Sequence, residues 1–118
     1  MANPNIVAVT EILGESVGAA ATTSFADIVA NASSSNKVYK INSVVATNKS
    51  IALDIDASIN FVRGGNSYSL ASNITLPTST TLVMVSKDNG IYLREGDSIQ
   101  VKAGSSDVDF VCSYEVIA

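Results

Sequence analysis

The last third of the chain, residues 80–117, constrains the fold most, because it sets three period-2 apolar runs end to end with turn sequences between them. Residues two apart share one face of a strand, so this alternation marks strands with one buried and one solvated face. The closing run puts Val108, Phe110, Cys112, Tyr114 and Val116 on one face and Asp109, Ser113 and Glu115 mostly on the other. Asp88-Asn89-Gly90 and Glu95-Gly96-Asp97 supply the residues that accept the positive φ of tight turns.

The same period runs through most of the chain, with no helical stripe of convincing length. Ile51, Leu53, Ile55, Ala57, Ile59 and Phe61 alternate with Ala52, Asp54, Asp56, Ser58 and Asn60, which predicts one half-buried antiparallel strand over residues 51–62. Shorter runs fall at 5–13, 24–30, 37–47, 67–76, 80–86 and 98–103. Gly64-Gly65-Asn66 marks a hairpin, and Pro77 ends its strand because it cannot donate to a ladder. Eight or nine short strands with short connections predict an all-β antiparallel β-sandwich, jelly-roll or Ig-like. Leu53, Ile55, Phe61, Phe110 and Tyr114 are its expected core, and Cys112 an expected core thiol.

Gly14 to Ser24 differs in kind, being dominated by Gly, Ala, Ser and Thr with little to bury. It reads as a linker, which divides the chain into an N-terminal strand or arm (1–13), a small-residue linker (14–24) and the sandwich (25–118). In the first segment Ile6, Val7, Val9, Ile12 and Leu13 expose apolar groups on both faces. Two readings stay open: a first strand followed by a surface loop, or an arm that adds to the sheet of a neighbouring subunit, with these five residues as its interface.

Composition narrows function mainly by exclusion. Hydrophobic residues make up 47% and charged residues 15%, which excludes intrinsic disorder. A net charge of −4 with seven scattered basic residues offers no footprint for a phosphate backbone, so no nucleic-acid partner is expected. The first basic residue is Lys37, so the N-terminus lacks the positive region of a secretory signal, and no run is long enough to span a membrane. Without histidine the chain has neither a Ser-His-Asp nor a Cys-His nucleophile, nor an imidazole metal ligand. Asp54 and Asp56 share a strand face, but carboxylates on a wet face are ordinary solubilising groups, and no calcium-loop pattern accompanies them. The expectation is a non-enzymatic protein with no catalytic residue, metal or cofactor.

Two strings carry a family resemblance. Asn-Lys-Val-Tyr-Lys-Ile-Asn-Ser-Val-Val-Ala-Thr-Asn at 36–48, and Leu-Val-Met-Val-Ser-Lys-Asp-Asn-Gly-Ile-Tyr-Leu-Arg-Glu-Gly-Asp-Ser-Ile at 82–99 with the ending Cys112-Ser113-Tyr114-Glu115, resemble small virion structural proteins of tailed bacteriophages of the cyanophage and marine type. The resemblance covers the chain from about Val9 onward, and the turn at 48–50 is shorter than the family's. It implies a virion component, first a capsid decoration or cement protein bound to the major capsid protein or other virion proteins. Symmetric self-association into a homo-oligomer such as a trimer is expected as the way to cover the apolar surface of residues 5–13. A neck, tail or fibre-associated module is the alternative the resemblance leaves. From another class, a carbohydrate- or receptor-binding module stands as a further alternative, against which the absence of Trp speaks.

Overall fold

A computed structural model of the chain describes residues 11–86 and 90–118. Nine strands follow one another: β1 (Ile12–Ala20), β2 (Ala26–Ala30), β3 (Val38–Asn48), β4 (Ile55–Arg63), β5 (Asn66–Leu76), β6 (Thr81–Val85), β7 (Ile91–Leu93), β8 (Ser98–Ala103) and β9 (Val108–Ile117). Among the described residues there is no helix. One antiparallel sheet has the order β1-β9-β3-β6, with β7 pairing further along β3, and the other has the order β2-β8-β4-β5. The pairing is nested: β1 takes β9, β2 takes β8, β3 takes β6 and β7, and β4 takes β5. A long antiparallel ribbon folded over on itself produces that nesting, which is the jelly-roll form of the sandwich.

The core lies between the sheets. Ile41 and Val44 of β3, Ile59 of β4, Ile99 of β8, and Phe110 and Cys112 of β9 are all fully buried there. The alternation read in the last run therefore places its first half correctly, while Tyr114 is only half-buried, as is Phe61 of β4. Gly64 and Gly65 join β4 to β5 with φ of 61° and 80°, the paired positive values that a two-residue hairpin of matching twist requires. At the second expected turn, Gly96 has φ 87° and Asp97 donates its N–H to the Arg94 carbonyl at 3.0 Å. The turn expected at Asp88-Asn89-Gly90 has its first two residues outside the described residues.

Two expectations need correction. The strand read over 51–62 begins only at Ile55; Ile51 is 89% exposed and Leu53 67%. The cause is a polar clamp stronger than the alternation. Asn48, fully buried, donates from Nδ2 to the carbonyls of Leu53 (3.0 Å) and Leu76 (2.9 Å) and accepts the Ser50 N–H on Oδ1 (2.9 Å). Ser50 Oγ then accepts the N–H groups of Ala52 (3.2 Å) and Leu53 (3.1 Å), so residues 50–53 close a side-chain-capped turn where the chain crosses between sheets.

The segment read as a linker is the second. Gly14 through Ala20 lie in β1, which pairs with β9 in unbroken register from Ile12↔Ile117 to Ala20↔Asp109. Ladder hydrogen bonds come from the backbone, so Gly, Ser and Ala can form a strand where side-chain packing decides little. Val17 and Ala19 still pack half-buried against the core.

The two kinds of position separate cleanly in a stability measurement. Phe110→Ala is expected to cost about 3–5 kcal/mol through lost transfer energy and a residual cavity, whereas Leu53→Ala should stay within about 0.5 kcal/mol. Urea unfolding of the two variants checks this, and an equal cost for both contradicts the placement of β4.

Candidate assembly edges

The two open sheets have four margins, formed by β1, by β6 with β7, by β2 and by β5, and what each presents to solvent follows from its sequence. In β1 the phase of the ladder is fixed at both ends. Glu11 and Ala118 exchange both backbone hydrogen bonds, at 3.1 and 3.0 Å, and Ala21 donates to the Val108 carbonyl at 2.8 Å. Paired residues of an antiparallel ladder alternate, so the odd-numbered residues of β1 aim their N–H and C=O groups at β9. Ile12, Gly14, Ser16, Gly18 and Ala20 aim theirs away from it. Among the described residues no strand pairs with that outer edge.

Side chains along β1 do little to close the edge. Ile12 is 55% and Leu13 47% exposed, and the remainder is Gly, Ser, Ala and Val apart from Glu15. A depression of about 260 Å³ lies beside Gly18, lined by Gly18, Ala19, Ala20, Asp109, Phe110 and Val111. Gly18 also ends a cross-strand row on the outer face of its sheet, because it pairs with Val111, Val111 with Val45, and Val45 with Val83. Val111 and Val83 are both exposed.

The edge of the second sheet is β5, eleven residues without a single charge. Tyr68 is 54% exposed, and Leu70 and Ile74 are exposed with it. Its register shifts between the partners Ile74 and Ala71 and again between Ala71 and Ser69, and Asn73 there has φ 49°. The other two margins are protected in familiar ways: β2 is five residues with a bulge after the charged Asp27, and the margin along β3 is broken into two short strands, β6 of five residues and β7 of three.

Of the five residues read as an interface, Ile12 and Leu13 thus stand at the start of β1, while Ile6, Val7 and Val9 lie outside the described residues. The β5 edge was not singled out in the sequence. Its signal was present all the same, as the longest strand-like stretch with no Lys, Arg, Asp or Glu, residues 66–76.

A depression of about 400 Å³ sits at the β4–β5 hairpin against the Glu95-Gly96 turn. Its acidic groups are engaged in holding that turn. The buried Asp97 Oδ2 accepts Arg63 Nε (2.9 Å), Arg63 Nη2 (2.6 Å) and the Arg94 N–H (2.8 Å), while Glu95 Oε2 accepts the Asn36 N–H. Among the described residues no group of three or more His, Cys, Asp or Glu is placed to hold a metal ion. Burial pushes the Cys112 thiol up from 9.0 to about 12, so it is protonated at neutral pH and no nucleophile. Tyr114 is raised too, by desolvation first and then by the Glu15 carboxylate opposite it on β1, and it stacks on Tyr39 with centroids 5.4 Å apart.

No protein-family model matches the sequence, and no curated protein matches it. Among solved structures, a chain from one described as "Bacillus endospore appendages form a novel family of disulfide-linked pili" matches with a TM-score of 0.53 at 18% identity, covering 100% of this chain and 94% of that one. The likeness is one of fold.

Cys112 provides a direct check of burial. A thiol reagent should label it far more slowly in the native protein than in the urea-unfolded chain. Because the folded pKa is raised, stability should be unaffected by this group below pH 9 and decline between pH 9 and about 12, as the unfolded thiol ionises and the folded one does not. Cys112→Ala should remove that part of the decline, and an unchanged profile contradicts the assignment.

Proposed function

We propose that the chain is a non-enzymatic structural subunit that works in many copies on a larger particle. The observation that carries this reading is the pair of long, weakly charged open edges, β1 and β5, on a sandwich whose other two edges are short. Edge strands with unpaired backbone groups and exposed apolar side chains are liabilities in a lone protein and contacts in an assembly. The sequence resemblance supports a virion as that particle. There the chain acts as a capsid decoration or cement protein on the major capsid protein, with its N-terminal residues engaging a neighbour, and a neck or tail position is the alternative within the same particle.

A second reading is favoured by the fold comparison, in which the whole chain aligns with a chain from disulfide-linked pili: a subunit of an appendage or fibre. One feature separates this chain from such a partner. Its single cysteine is fully buried in the core, so copies of it would be held without disulfide links.

Antibody against the chain is expected to mark assembled heads when gold-labelled particles are imaged, and purified protein is expected to co-sediment with heads that lack it. Deleting residues 1–10 should leave a folded sandwich with weakened particle binding. Labelling confined to tails or fibres moves the protein to the alternative positions, and a chain absent from every particle overturns the proposal.

A further inference from the structure

We propose that copies of the chain join head to tail, the outer edge of β1 in one copy pairing with the outer edge of β5 in the next, so that the first sheet of one sandwich continues into the second sheet of its neighbour. This rests on the reading of the chain as a multi-copy subunit and names the contact between copies.

The topology places the two edges for it. In the orders β1-β9-β3-β6 and β2-β8-β4-β5, β1 lies over β2 on one flank of the sandwich and β5 lies over β6 on the other. Each copy therefore carries one edge of each kind on opposite flanks. Using one leaves the other open, which is the condition for a heterologous contact that propagates.

The side chains of the two edges are complementary in size. The outward-bonding positions of β1 are Ile12, Gly14, Ser16, Gly18 and Ala20, four of them small, and the depression beside Gly18 is open to an incoming side chain. On β5, Tyr68, Leu70 and Ile74 stand out into solvent, and Tyr68 lies in the straight run that pairs residues 66–69 with Arg63, Val62, Phe61 and Asn60. A large apolar side chain set next to Gly18 extends the row Val83, Val45, Val111 across the junction and covers apolar surface that a lone sandwich leaves wet.

Like-with-like pairings do worse on the same terms. Two β1 edges run antiparallel about Ser16 bring small side chains against small ones, and set the two Glu15 carboxylates on diagonal positions of one face. Two β5 edges must align two strands that are each bulged near Asn73, with the large side chains crowding one another. Pairing β1 with β5 sets a straight strand against a bulged one and carries no opposed charges.

Because the Ser16 N–H points away from β9, a proline there removes a donor from the outer edge while sparing the ladder inside the protein. Full-length wild type should associate with rising concentration in sedimentation velocity, and Ser16→Pro should weaken that association at least about tenfold while its unfolding midpoint stays close to that of wild type. Should Ser16→Pro fail to fold, Gly18→Lys places a charge at the same edge, where a Cβ meets nothing closer than 3.9 Å. Tyr68→Lys should block the opposite edge to the same extent. A mixture of Ser16→Pro and Tyr68→Lys should then form a 1:1 heterodimer and nothing larger, since one intact edge of each kind remains.

Three results overturn the proposal. They are a wild type that stays monomeric at every concentration, a Ser16→Pro variant that associates like wild type, and a Tyr68→Lys variant that still dimerises alone. Loss of association on deleting residues 1–10, with Ser16→Pro unaffected, assigns the contact to the N-terminal segment and overturns it as well. Co-sedimentation with particles is read separately. A monomeric wild type that still binds particles removes only the head-to-tail contact, and a self-associating chain that binds no particle removes only the particle role.

Discussion

Two buried asparagines hold four of the six places where the chain passes from one sheet to the other, and the sandwich depends on them. A crossover takes backbone groups out of both ladders at the margin of an apolar core, where an unpaired group costs about 1–3 kcal/mol. Asn48 bridges the end of β3, the 50–53 turn and the end of β5 by donating to the Leu53 and Leu76 carbonyls. Asn31, after β2, does the same at the other end: Nδ2 donates to the Lys37 and Leu93 carbonyls at 2.8 and 3.0 Å, and Oδ1 accepts the Ser35 hydroxyl at 2.5 Å. Its own N–H and C=O exchange bonds with Asp97 and Gly96, so one residue ties β2, β3, β7 and the Glu95-Gly96 turn together. An aspartate could accept at these positions but could not donate to the carbonyls, and a leucine of similar size would strand them.

Side-chain hydrogen bonds also fix the hairpin end of the sandwich. Arg63 and Asp97 form a fork whose acidic half is nearly inaccessible, and the Arg94 N–H completes it. A buried carboxylate oxygen that accepts three hydrogen bonds from a half-exposed arginine and a backbone N–H fixes the hairpin against the turn. The exposed ion pair of Lys49 with Asp109, at 3.3 Å, contributes little by comparison. Among the described residues the buried Asn42 Oδ1 lacks a partner, and the outer edges of the two sheets present backbone groups to solvent, where backbone bonds to backbone.

How much of this was legible in the sequence depended on which force decided each segment. Where burial decided, alternation was enough: Phe110, Cys112, Ile55 and Ile59 are in the core as their period required. Where a turn needed positive φ, Gly64, Gly65 and Gly96 announced it. Alternation misled at Ile51 and Leu53, because a polar clamp built from Asn48 and Ser50 overrode an apolar pattern, and the partners of Asn48 include a residue 28 positions away. It was silent at Gly14 through Ala20, whose strand exists because β9 lies beside it and not through any preference of its own residues. Edges are harder still, since a strand is an edge only by virtue of the order of the others. The lack of charge in residues 66–76 was visible, but its meaning came from finding β5 at the end of a sheet.

The open edges also bear on the form an assembly takes. A contact between unlike edges closes into a ring when the rotation between successive copies divides a full turn, and otherwise runs on as a helix. Strand twist gives each added strand a rotation of roughly 20–25° relative to its neighbour, so four strands crossed in passing through one sheet already turn the next copy well away from the first. On the contact proposed above, a closed ring such as a trimer and an open filament would be two outcomes of one interface differing in angle. Gly14 and Gly18 then acquire a role beyond smallness. Two glycines in an edge strand with room around them, one meeting nothing within 4 Å and the other only backbone and a methyl group at 3.9–4.0 Å, leave the angle of an incoming strand to be set by the large side chains it brings. On the proposed contact, the shape of the assembly would then rest on Tyr68, Leu70 and Ile74 on the opposite flank.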